Sequence, residues 1–201
     1  MESGAYKNVL VIASEKMSAF IDYTDRNTCV LFGDGASAAV VSESGKGWFV
    51  DTVRLGADGE LAELVIIPAG GARNPANEQT LAKREHFFRM SGKEVFKHAV
   101  RRMEMAAKEC LEATGLTEED IRWLVPHQAN LRIIDAIAKQ MNIPDDKVYK
   151  TVHKYGNTSA SSVAIALDEL LQEQQFNPED HLLLVAFGGG LTWGAALLTQ
   201  T

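Results

Sequence analysis

The chain has 201 residues, 46% hydrophobic and 23% charged, a composition that packs into a globular domain and argues against disorder. Twenty Lys and Arg against 27 Asp and Glu leave a formal net charge of −7, the wrong sign for a general nucleic-acid binder. No apolar run reaches the roughly 18 residues of a membrane-spanning helix. The start lacks the basic segment, apolar core and cleavage site of an export signal. Cys29 and Cys110 form no disulfide framework, and a cytoplasmic location is expected.

Asn8 to Ala13, apolar from Val9 onward, predicts a buried strand, which needs neighbours on both sides. Residues 1–7 supply at most the tail of one helix. That leaves open a chain beginning inside a larger fold and a domain that simply opens on a strand. Cys29 to Val41 reads as strand, Gly33-Asp34-Gly35 bend and strand. Trp48 to Leu55 reads as another strand, and Gly70 to Thr80 as an irregular excursion. Ser91 to Ala113 predicts the clearest helix, with Val95, Ala99, Met103, Ala106 and Cys110 on one face and Gly115 as its stop. Thr117 to Asp120 resembles a capped acidic turn. Then follow a strand at Ile121 to Val125, a helix at Ala129 to Met141 and a short strand at Val148 to Val152. A small-residue-rich helix spans Ser159 to Gln172. The chain closes with strands at His181 to Phe187 and Thr192 to Leu198 about a Gly188-Gly189-Gly190 bend. Alternating helices and strands predict a layered α/β fold, with the last two strands an antiparallel pair at the end of a mixed sheet.

Gly33-Asp34-Gly35-Ala36-Ser37-Ala38 has dinucleotide-loop spacing but precedes a strand where that loop must open a helix, so it is read as a turn. His86, His98, His127, His153 and His181 lack metal-motif spacing. Cys29 and Cys110 read as packing residues. His127 directly follows Pro126 at a strand's carboxyl end before a helix, a position where catalytic groups concentrate in α/β folds. Asn157, in Tyr155-Gly156-Asn157-Thr158-Ser159, occupies an equivalent junction. Pattern alone leaves it open between a catalytic amide and a helix cap. The triple glycine is open between a turn and a place where backbone N–H groups approach a reacting atom.

Val125-Pro126-His127-Gln128-Ala129-Asn130-Leu131-Arg132 closely resembles the β-ketoacyl-[acyl-carrier-protein] synthase III family. Gly156-Asn157-Thr158-Ser159-Ala160-Ser161, Met90-Ser91-Gly92-Lys93-Glu94-Val95-Phe96 and Phe187-Gly188-Gly189-Gly190-Leu191-Thr192-Trp193-Gly194 extend the resemblance across nearly the whole chain. It implies a thiolase-like layered fold with mixed sheets, incomplete, made of the C-terminal thiolase-like half plus the last strands of the N-terminal half. The implied division is residues 1–45 as a remnant of the N-terminal half, 46–90 as a connecting strand and loop region, and 91–201 as the C-terminal half.

The resemblance implies an acyltransferase that initiates fatty-acid synthesis by decarboxylative Claisen condensation of acyl-CoA with malonyl-[acyl-carrier protein], through a Cys-His-Asn set. His127 and Asn157 match the family histidine and asparagine, and Gly189 the glycine whose N–H meets the oxyanion. Arg26 and Arg132 match residues near the CoA moiety. Phe88, Met90, Gly92 and Phe187 match the acyl pocket. Lys93, Lys97 and Arg101, with Lys139 nearby, are expected to dock the carrier protein. The implied partners are acyl-carrier protein and acyl-CoA, with a homodimer in the complete enzyme and neither nucleic acid nor membrane. No cofactor or metal is implied, coenzyme A thioester being a substrate. Neither Cys29 nor Cys110 matches the family cysteine. The chain is therefore expected to be a C-terminal portion of about three-fifths of such an enzyme, inactive alone in condensation. The alternatives are a non-catalytic acyl-CoA or carrier-protein binding fragment, or an initiating ketosynthase of chalcone-synthase type.

Overall fold

The structure, a computed structural model, describes residues 3–201. The first apolar run forms strand β1 (Asn8–Glu15), which pairs antiparallel with β2 (Gly35–Ser42) as a separate two-stranded sheet. β1 is a strand as expected but is not buried: Leu10 is 58% and Ile12 65% exposed. Cys29 to Phe32 is not a strand either. The Asp25 carboxylate accepts hydrogen bonds from the Asn27 N–H at 3.0 Å and the Thr28 hydroxyl at 2.8 Å, winding this stretch into turns.

β3 (Trp48–Ala57) leads to the short pair β4 (Val65–Ile66) and β5 (Arg89–Met90), with helix α1 (Glu78–Ala82) between them. α1 lies at the end of the stretch expected to be irregular. The long helix α2 (Gly92–Thr114) ends at Gly115, whose φ of 72° is the left-handed conformation glycine adopts without a Cβ clash. β6 (Ile121–Pro126), α3 (Leu131–Gln140), α4 (Val152–Tyr155), α5 (Ser162–Glu173), β7 (His181–Gly188) and β8 (Thr192–Gln200) complete the chain. Val148 to Val152 forms no strand; it makes one bridge from Val148 to Leu124 and then turns into α4.

The main sheet runs β3-β8-β7-β6, with β6 and β7 parallel and the other pairs antiparallel. β7 and β8 therefore sit in its middle rather than at its end. Alternation along β7 sorts the core. Leu183 and Val185 pack with α2 and α3, whereas Leu182 and Leu184 join the cluster that includes Ala166 and Leu170 of α5. Each large aliphatic side chain so buried contributes about 1.5–3 kcal/mol.

β3 is an integral strand of the same sheet as β6, β7 and β8. β2, of the separate β1-β2 sheet, packs on α5. Among the described residues no helix is long and apolar enough to cross a membrane.

Leu10 and Ile12 on β1, Val40 on β2, and Phe49 and Leu55 on β3 are exposed large apolar side chains on open sheet surfaces. Contiguous apolar faces of this kind associate in water. The chain is expected to show concentration-dependent self-association in sedimentation, reduced by the double substitution Leu10→Lys, Ile12→Lys. A monomer unchanged across the concentration range would contradict this.

Candidate active site

His127 is held at the carboxyl end of β6, where its backbone N–H donates to the Val185 carbonyl at 2.7 Å. The next residue anchors the segment. The Gln128 side chain, 1% exposed, donates from Nε2 to the carbonyls of Pro126 at 2.7 Å and Tyr149 at 3.2 Å. Its Oε1 accepts the N–H groups of Thr151 at 2.8 Å and Val152 at 3.1 Å. One buried carboxamide thus ties the end of β6 to the stretch that becomes α4.

α4 delivers Gly156 and Asn157. The Asn157 N–H donates to Leu31 at 2.8 Å, and its carbonyl accepts from the Gly33 N–H at 2.9 Å. A Cβ on Gly33 would meet the Tyr155 carbonyl oxygen at 2.0 Å, so this close approach requires glycine. Asn157 Oδ1 accepts the Ser159 N–H at 2.9 Å, which leaves Nδ2 without a hydrogen bond among the described residues. His127 Nδ1 lies 2.6 Å from the Ser162 hydroxyl, and Nε2 likewise has no partner among the described residues.

His127, Asn157 and Gly189 line one open cavity of about 1110 Å³. Phe88, Met90 and Phe187 line it with apolar surface, and Gly92, Lys93 and Arg132 also border it. Arg26 does not line it, although its neighbour Asn27 does. Lys97, Arg101 and Lys139 are exposed outside the cavity, with Lys97 4.0 Å from Glu94. Sequence reasoning missed Trp193, a cavity residue whose ring lies 4.3 Å beneath the Arg102 guanidinium, itself paired to Asp58 at 2.9 Å. It also missed Gln128 and Ser162. Gln128 stands within the motif carrying His127, whereas Ser162 was hidden in a run of small residues read as close backbone packing. Among the described residues no cluster of three or more His, Cys, Asp or Glu is placed to hold a metal ion.

The cavity wall around His127 lowers its pKa from 6.5 to about 4, through burial that penalises the imidazolium. The ring is therefore neutral near pH 7. The unfolded chain takes up this proton first as pH falls, so the contribution to stability is whole above 6.5 and is lost between 6.5 and 4. The stability difference between the chain and its His127→Gln variant, from denaturant titrations, is expected to fall across that window. A difference independent of pH would contradict the neutral ring.

The descriptions that match the chain are 3-Oxoacyl-[acyl-carrier-protein (ACP)] synthase III over residues 1–59 and 3-Oxoacyl-[acyl-carrier-protein (ACP)] synthase III C terminal over residues 111–200. The chain is 64% identical to a beta-ketoacyl-[acyl-carrier-protein] synthase III of Chlamydia caviae, over all of this chain and 60% of the relative. The crystal structure of 3-oxoacyl-[acyl-carrier-protein] synthase III from Aquifex aeolicus matches with a TM-score of 0.85 at 46% identity, over 98% of this chain and 59% of that one. The corresponding Thermus thermophilus structure matches with a TM-score of 0.86 at 43% identity, over 100% and 61%. The chain thus spans about three-fifths of the length of these proteins.

These matches correct the expectation of a C-terminal portion with an incomplete fold. The two matched regions lie toward opposite ends of the chain, and the structural likeness runs through all or nearly all of it. The expectation of a chain without its nucleophile rested on where the sequence begins, which carries no such conclusion, and it does not stand. A thiol is present in the interior: Cys110, fully buried on α2, has its pKa pushed up by burial. Cys110 is not among the residues lining the cavity, and Cys29 is half-buried in the turns before β2. With matched regions covering about three quarters of its residues and close likeness over its whole length, the chain belongs to the 3-oxoacyl-[acyl-carrier-protein] synthase III family.

Proposed function

We propose that His127 and Asn157 form the decarboxylation site of a condensing enzyme that joins an acyl group from acyl-CoA to malonyl-[acyl-carrier protein], the first condensation of fatty-acid synthesis. The observation that carries this reading is the pair of unpartnered side-chain nitrogens, His127 Nε2 and Asn157 Nδ2, on residues lining one largely apolar cavity. The bond between the malonyl carboxylate and the methylene carbon breaks, CO₂ departs, and its electron pair passes into an enolate whose negative oxygen was the thioester carbonyl. Two neutral N–H donors then meet that oxygen, and each such donor is worth roughly 3 kcal/mol. The enolate carbon forms a bond to the carbonyl carbon of the acyl thioester and charge passes to a second oxygen; as that carbonyl re-forms, the carbon–sulfur bond breaks and its electron pair leaves on sulfur as a thiolate that takes up a proton from solvent. Backbone N–H groups, Gly189 included, receive the charge on that second oxygen.

Phe88, Met90 and Phe187 would hold the acyl chain beside Gly92, and Arg132, with Arg26 outside the cavity lining, the CoA moiety. Lys93, Lys97, Arg101 and Lys139 would attract an acidic carrier protein, acting on encounter more than on chemistry. A cytoplasmic, homodimeric whole enzyme accords with this reading.

The test is release of CO₂ from malonyl-CoA and malonyl-[acyl-carrier protein] by the chain. His127→Ala and Asn157→Ala are each expected to lower kcat by about 100- to 1,000-fold. Rates unchanged in both variants would overturn the assignment. Binding of the malonyl thioester without CO₂ release would favour the alternative of a purely binding module.

A further inference from the structure

We infer that Ser162 is a positioning residue that fixes the ring proton of His127 on Nε2, the nitrogen available to the cavity. The inference rests on the proposed role of His127. Its starting point is a hydroxyl that is 2% exposed and has two close neighbours. Ser162 Oγ lies 3.2 Å from the backbone nitrogen of Gln128 and 2.6 Å from His127 Nδ1.

A backbone N–H can only donate, so Oγ is the acceptor toward Gln128. The hydroxyl has one proton of its own to place. Among the described residues Nδ1 is the one group in hydrogen-bond contact with Oγ that can accept it. With the proton given to Nδ1, that nitrogen uses its lone pair and the neutral ring must carry its hydrogen on Nε2. The opposite tautomer would aim two N–H groups at one oxygen and leave a buried hydroxyl proton without an acceptor, an unfavourable arrangement away from water.

The geometry also explains why the two elements meet here. Ser162 is the first residue of α5, and Gln128 holds the end of β6 through its carboxamide. The backbone N–H of Gln128 sets the position of Oγ, and Oγ sets the tautomer of the neighbouring ring. Nε2–H is the form able to donate to an enolate oxygen. The Nδ1–H form would present a lone pair to the same oxygen and repel it.

Long-range ¹H–¹⁵N spectra of chain labelled with ¹⁵N-histidine test the assignment directly, with His127 identified by the signals missing from His127→Gln. Near neutral pH the wild-type ring is expected to show an unprotonated Nδ1 and a protonated Nε2. Ser162→Ala is expected to give a mixture of tautomers, and Ser162→Thr, which keeps the hydroxyl, to retain the wild-type pattern. In the CO₂-release assay Ser162→Ala should lower kcat at least about 10-fold with KM little changed, since a wrong tautomer removes an interaction made in the transition state. A protonated Nδ1 in wild type, or a wild-type pattern in folded Ser162→Ala, overturns the inference. Should Ser162→Ala fail to fold, the wild-type spectrum alone decides. Expected spectra combined with CO₂ release indifferent to His127→Ala would sustain the positioning role and overturn the functional reading instead.

Discussion

The buried carboxamide of Gln128 is the constraint on which the rest of the site depends. It makes four hydrogen bonds, all to backbone groups, from a position 1% exposed to solvent. Two of its partners face it from residues 151 and 152, where the chain enters α4. Without the carboxamide those buried N–H and C=O groups would lack partners, and each such loss costs about 1–3 kcal/mol. Because Gln128 adjoins His127, the same bonds set where the imidazole begins. Because α4 leads straight into Gly156, they also set where Asn157 is delivered.

Around this joint the polar groups are satisfied on the protein side and left open on the cavity side. Ser162 engages His127 Nδ1, and Ser159 engages Asn157 Oδ1. Burial holds the imidazole neutral, with its pKa near 4, while Phe88, Met90 and Phe187 give the cavity apolar walls. A neutral donor pair in such a setting favours charge that develops on an oxygen more than charge already present on a carboxylate. That difference is what decarboxylation requires.

Much of the scaffold was legible in the sequence because its signals are local. α2 declares itself by its apolar spacing and by Gly115, and β7 and β8 by their apolar runs on either side of three glycines. The misreadings have equally local causes. The run Asn8 to Ala13 encodes a strand, but apolarity alone says nothing of how many neighbours cover it, and Leu10 and Ile12 are exposed. Val148 to Val152 has strand composition, yet the N–H groups of Thr151 and Val152 are taken by Gln128, so a strand ladder does not form there. His127 and Asn157 could be singled out by their motifs and by their places at junctions. That Arg26 lies off the cavity, and that Ser162 reaches His127 from 35 positions away, depends on tertiary packing that no spacing in the sequence expresses.

The central claim is that His127 and Asn157 act on one oxygen. A crystal structure of the chain with a malonyl thioester analogue that cannot lose CO₂ tests it most directly. The account predicts the thioester oxygen within about 3 Å of both His127 Nε2 and Asn157 Nδ2. An analogue bound in the cavity with that oxygen held by neither nitrogen, or by one alone, would contradict it.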